Sequence, residues 1–168
     1  MVTSFQKWLG SRTTRAAVLP LALALSVMLG TTPAFAKAQR TALDGTEQKF
    51  FGTPERTIYA GPWEIHRNST LYGTFDFGAL KGTLVWVATD QFNFPTTNGR
   101  VRGKVSYTDT ASGVICTGTA DGKITAFFLT ANIVAPCSDG SLMRGTLQDT
   151  SNNGVEIFST FHGELLTP

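Results

Sequence analysis

Cysteine and histidine are scarce in this chain, two of each in 168 residues, and that scarcity removes several chemistries at once. No C-x-x-C occurs, so a thioredoxin-type redox pair is excluded. No G-x-S-x-G elbow is present, which removes the usual hydrolase nucleophile. The glycine-rich pieces lie inside strand-like runs rather than between a strand and a helix, so no phosphate-cradling loop is formed. Beyond residue 36 no apolar run is long enough to cross a bilayer as a helix. Strand patterns leave little room for helices anywhere in the remainder.

The first 36 residues read as a secretory signal peptide. Lys7, Arg12 and Arg15 form a basic start, Ala16 to Gly30 is apolar, and Ala34-Phe35-Ala36 is an A-x-A cleavage site. The whole chain carries 14 Lys+Arg and 12 Asp+Glu. Removing three basic and no acidic residues leaves 14 − 3 = 11 against 12, a net charge of −1. A nearly neutral domain is a poor partner for nucleic acid. The expected location is secreted or periplasmic, where the two remaining cysteines, Cys116 and Cys137, pair as one disulfide.

Residues 37–54 are polar and read as a flexible leader, or a short helix that packs late. Residues 55–168 then read as one β domain of about eight strands. Ile58–His66, Leu71–Phe77 and Leu80–Thr89 come first, with Arg67-Asn68-Ser69-Thr70 as a connection. In Arg100–Thr108, Val101, Gly103, Val105 and Tyr107 alternate with Arg100, Arg102, Lys104 and Ser106. Asn98-Gly99, Asp121-Gly122, Asp139-Gly140 and Asn152-Asn153-Gly154 read as turns. Nearly every candidate strand holds a glycine: Gly73, Gly82, Gly103, Gly118, Gly145 and Gly163. A glycine inside a strand weakens it unless the strand bends sharply or another backbone comes close. Repeated in this way, the glycines point to a small antiparallel up-and-down barrel, with a β-sandwich as the alternative architecture.

Gly61-Pro62-Trp63 resembles the G-x-W signature of the calycins, the lipocalins and avidins. The resemblance implies an up-and-down barrel, with this tripeptide in its first strand and a small apolar ligand in its interior.

Candidate site residues fall into two sets. Trp63, Phe75, Phe77, Trp86 and Tyr107 are aromatic and fit either a core or a ligand contact. Glu64 and His66 share a face of the first predicted strand, as His162 and Glu164 share a face of the last. If closure makes those strands neighbours, the four meet at a seam that suits a divalent metal such as zinc, or an acid–base group. No other cofactor is indicated, and no residue is assigned as catalytic. Several strands are apolar on both faces, which calls for a cover outside, such as a second copy of the chain, or for an internal ligand cavity. The expected function is therefore non-catalytic binding of a small apolar molecule or another protein. The alternatives are a small barrel enzyme, of cyclase, isomerase or hydrolase type, using the His/Glu group, and a secreted inhibitor or structural protein acting through its leader.

Overall fold

The computed structural model describes residues 38–168; the predicted signal peptide lies outside them. Nine strands follow one another: β1 (Gln39–Phe51), β2 (Arg56–Ala60), β3 (Trp63–Asp76), β4 (Lys81–Asn93), β5 (Asn98–Asp109), β6 (Ile115–Thr125), β7 (Phe128–Pro136), β8 (Leu142–Asn152) and β9 (Glu156–Thr167). Their hydrogen-bonded order is β1-β9-β8-β7-β6-β5-β4-β3-β2, and β1 also pairs with β3. Every pairing is antiparallel. Eight strands thus close into an up-and-down barrel, and β2 is an extra strand on β3. Closure removes the unpaired edges that an open meander would expose. No helix among the described residues is long and apolar enough to cross a membrane.

The strand glycines fit this closure. A Cβ placed on any of the six would come within 2.6 Å of a carbonyl oxygen on the neighbouring strand. Gly73 is the case that matters most, because it pairs with Lys49 on β1 where the barrel closes, and a Cβ there would meet the Gln48 carbonyl oxygen. Any larger residue there would push the closing strands apart.

Several expectations are corrected. Asn98-Gly99, expected as a turn, begins β5 and pairs with Asn93 and Phe92, and the turn falls at Phe94–Thr97. Residues 39–51, expected as part of a flexible leader, form β1, which pairs with β9 on one side and β3 on the other. The inward positions of β1 include Leu43, Glu47 and Lys49, all buried. An inner face carrying Glu and Lys reads in sequence like a solvated arm. Asp121-Gly122, expected as a turn, lies inside β6, and the turn falls at Ala126-Phe127. The stretch expected as one strand over Ile58–His66 is divided by a turn at Gly61-Pro62, with Gly61 at φ 61°.

The connection expected at Arg67–Thr70 is a β-bulge instead. Along the β3–β4 pairing, His66 faces Asp90 and Ser69 faces Ala88, so β3 carries one extra residue. Asn68 takes up that residue at φ 52°, in a left-handed region that Asn tolerates better than most side chains. Since strand side chains alternate with period two, the extra residue exchanges the faces of β3. Below it Ser69, Leu71 and Phe75 point inward; above it Glu64 and His66 do.

The interior has two halves. One end is packed solid by Leu43, Phe75, Phe77, Leu84, Tyr107, Met143 and Phe161. The Phe77 and Phe161 rings stack at 4.4 Å, and Phe75 meets Tyr107 edge-on at 5.2 Å. Cys116 and Cys137 form the expected disulfide at this end, across 21 residues of sequence, a link compatible with an oxidising compartment. Outside, Phe50 pairs with Tyr72 and Tyr72 with Val85, giving an exposed apolar row across β1, β3 and β4. The basic stripe of β5 also faces outward, and Arg100 and Arg102 both reach Asp121 on β6.

Candidate functional site

The other half of the barrel holds a cavity of 370 Å³. Its walls are mainly apolar: Phe51, Leu71, Trp86, Ala88, Phe92, Val101, Leu129 and Ile157 all contribute. Two polar groups interrupt them, one deep and one toward the mouth.

The deep group centres on Lys49, whose side chain is almost completely buried. Its Nζ donates to a carboxylate oxygen of Glu47 and to Ser159 Oγ at 3.0 Å, and lies 3.7 Å from Asp149 Oδ1. It also stands 4.6 Å from the centre of the Trp86 ring, a cation–π distance. The Tyr107 hydroxyl donates to Glu47 Oε2 at 3.0 Å. Asp149 accepts from Ser159 Oγ at 2.8 Å and from the Leu129 amide at 3.0 Å. Burial raises the Glu47 carboxyl above its ordinary range, although Lys49 opposes the shift. Burial and the Glu47 charge push the Tyr107 phenol well up, so it stays a hydrogen-bond donor. Trp86 Nε1 is the one buried side-chain nitrogen or oxygen without a hydrogen-bond partner among the described residues.

The group nearer the mouth is Glu64, His66 and Asp90. His66 Nδ1 lies 2.9 Å from Asp90 Oδ2, and its Nε2 lies 2.8 Å from Glu64 Oε1. Burial lowers the imidazole pKa, but the two carboxylates outweigh it, so the net shift is upward from 6.5. Asp90 is also raised, first by burial and against the pull of His66. The bulge at Asn68 is what turns Glu64 and His66 into the cavity.

Backbone strain is concentrated at this end. Among the described residues four non-glycines have positive φ: Asn68, Thr97, Ala126 and Phe127. All four stand at the cavity end, whereas the turns at the packed end place Gly78, Gly113 and Gly140 in that region. Ala126-Phe127 forms a two-residue hairpin turn with φ values of 51° and 73°, where Asn-Gly is the relaxed choice. It is pinned from both sides. The Phe127 amide donates to Thr97 O at 3.3 Å, and Asn152 Nδ2 donates to Phe127 O at 3.2 Å. The Phe127 ring is half exposed and packs 5.0 Å from Phe92, which meets Phe94 edge-on at 5.3 Å.

Of the aromatic candidates, Trp86 lines the cavity, while Phe75, Phe77 and Tyr107 belong to the packed end. Trp63 starts β3 at the open end and is 38% exposed. It follows a turn rather than standing in the first barrel strand, so the placement implied by the calycin resemblance is corrected. The His/Glu seam does not form. Because β1 lies between β3 and β9, Glu64 and His66 do not meet His162 and Glu164. His162 is on the outer face, 2.9 Å from Asp44, and Glu164 pairs with Arg144 and Arg40. Among the described residues no group of three or more His, Cys, Asp or Glu side chains is placed to hold a metal ion. In the Glu64–His66–Asp90 trio the carboxylates occupy opposite edges of the imidazole, so the donors do not converge. Glu47, Lys49, Asp90 and Asp149 were missed in sequence. The alternation Glu47-x-Lys49 marks two charges on one strand face, but only closure shows that face to be interior. Compared with known proteins, the chain matches no family model and no curated protein.

Proposed function

We propose that the protein binds a small, largely apolar molecule inside the open half of its barrel, and that it does so after export. The observation that carries this reading is the 370 Å³ cavity with aromatic and aliphatic walls and two localised polar groups, the usual composition of a small-molecule site. The strained turn at Ala126-Phe127 supports the reading, since strain of this kind clusters at ligand clamps and costs about 1–3 kcal/mol per residue. Export rests on the basic, apolar and A-x-A pattern of residues 1–36, and the disulfide is compatible with it.

The test is a fluorescence titration with 1-N-phenylnaphthylamine, a neutral apolar probe, against the wild type and Ala88→Phe. Ala88 lines the cavity and is buried, so the larger ring fills the space without altering a charge. Wild type is expected to bind and the variant to lose binding while keeping its circular dichroism. Equal binding by both places the probe elsewhere and removes the proposal.

The His66 trio favours a second reading, a barrel enzyme that uses the imidazole as an acid–base group toward the cavity. Turnover of a bound ligand that disappears in His66→Gln would favour it. A protein partner, the other ligand class considered, has the exposed row Phe50, Tyr72 and Val85 to pack on. The inhibitor reading loses its free arm over residues 39–51, which form β1.

A further inference from the structure

We infer that the ligand of this cavity carries a positively charged head, an apolar amine or related organic cation, seated against Glu64, His66 and Asp90 with its body along the aromatic walls. The inference rests on the binding reading above and adds the chemical class of the ligand. It comes from the charges inside the cavity. Those lining it are Lys49, Glu64, His66, Asp90 and Asp149. Three are carboxylates, against one ammonium and one imidazole. Lys49 is already held by Glu47, Ser159 and Asp149, and offers an incoming anion little. The trio near the mouth has two carboxylates and one imidazole. With His66 protonated it keeps one uncompensated negative charge, and with His66 neutral it keeps two. A fatty acid would add another carboxylate to an apolar, acid-rich cavity, which is electrostatically unfavourable. A cation would neutralise charge there, and the aromatic side chains of Phe92, Phe94 and Phe127 line the same cavity.

His66 then acts as an internal competitor. The charged or titratable groups around it are Glu64 on its own strand, Asp90 opposite it on β4, and Lys49 and Asp149 farther along the cavity. Its β2 neighbour is Thr57, which carries no charge. When the imidazole is protonated it donates to both carboxylates and cancels one of their two charges; when it loses its proton the ligand cation replaces that charge. Proton and ligand therefore oppose each other. Affinity for a cation rises with pH across the His66 titration, which lies above 6.5.

The test is displacement of 1-N-phenylnaphthylamine by decylammonium, decanol and decanoate at pH 5.5 and 8.5. All three share one tail, and the ammonium and carboxylate keep their charges at both pH values. At pH 8.5 decylammonium is expected to displace the probe about tenfold better than decanol, as one unit charge acting over several ångströms in partly solvated surroundings. Decanoate is expected to be weakest, and the ammonium advantage to shrink at pH 5.5. In His66→Gln the advantage should no longer change with pH. In the Glu64→Gln, Asp90→Asn double variant it should vanish while decanol still competes, which shows that the cavity remains intact. Probe binding with decanol equal to or better than decylammonium overturns the inference and leaves the binding reading standing. No probe binding by the wild type removes both.

Discussion

Lys49→Met is the perturbation that tests the interior charge network most directly. Methionine keeps the length and apolar stem of lysine and removes the ammonium that faces Glu47 and Asp149. Breaking a buried ion pair from one side costs about 3–5 kcal/mol when the remaining charge must stay ionised. Glu47 has an escape, because burial already holds its pKa above 4.5 and Lys49 is the main opposing influence. Without Lys49 the carboxyl stays protonated in the folded chain. Folding then takes up a proton at about 1.4 kcal/mol per pH unit. From pH 4.5 to 7 the added cost is at most about 3.4 kcal/mol, within the range for a broken pair. The sign is fixed by the direction of the shift. A carboxyl whose folded pKa is raised contributes stability at low pH and loses it as pH rises through the folded pKa. The variant should therefore be close to wild type at pH 5 and fall progressively behind toward pH 8, in urea unfolding followed by tryptophan fluorescence. Adding Glu47→Gln should recover most of the loss at pH 8, since no buried carboxyl is then left to titrate at that position. A deficit of equal size at pH 5 and 8, or one that grows toward acid, refutes this account of the interior.

Three further outcomes are expected. Replacing Cys116 and Cys137 with serine opens a loop of 21 residues, which should cost about 3 kcal/mol through the unfolded chain; an unchanged melting temperature under oxidising conditions contradicts this. Replacing Ala126-Phe127 with Asn-Gly should raise stability by about 1–3 kcal/mol by relaxing two positive-φ residues, yet weaken probe binding by removing an aromatic at the rim; a gain in both sinks the idea that the strain serves binding. His66→Gln should remove a component of stability that is fully present below pH 6.5 and lost as pH rises through the raised folded pKa. Parallel stability–pH curves for variant and wild type between pH 6 and 8.5 would rule that out.

The barrel was legible because its signals are local and repeated. Alternation in β4 and β5, the turn glycines Gly140 and Gly154, and the strand glycines each follow from rules that need no long-range information. Closure was legible only in kind. Which strands meet depends on β1, and its buried Glu47 and Lys49 carry the signature of a solvated segment until their partners Asp149, Ser159 and Tyr107 are known. Those partners lie 60 to 110 residues away in sequence, beyond any periodicity argument. The disulfide, by contrast, needed only a count of two and the expectation of an oxidising compartment.

The site shows the same division within a single strand. Glu64 and His66 share a face in sequence and in structure, since they are two residues apart. Which face depends on whether one residue is inserted between them and Leu71, and the sequence Arg67-Asn68-Ser69 reads equally as a turn or as a bulge. Asn68 decides it, and its deletion is the sharpest test of the arrangement. Without the extra residue, β3 continues in one register against β4. If the lower half of β3 stays fixed by Leu71 and Phe75 in the core, Glu64 and His66 turn outward and Ile65 enters the cavity. The deletion variant should then fold, because the β1–β3 pairing below the bulge is untouched. It should still bind the neutral probe, but its preference for decylammonium over decanol should shrink to what Asp90 on β4 supplies and should no longer change with pH across the His66 titration. A folded deletion variant with an undiminished, still pH-dependent cation preference would mean that the preference does not come from Glu64 and His66 as the bulge places them.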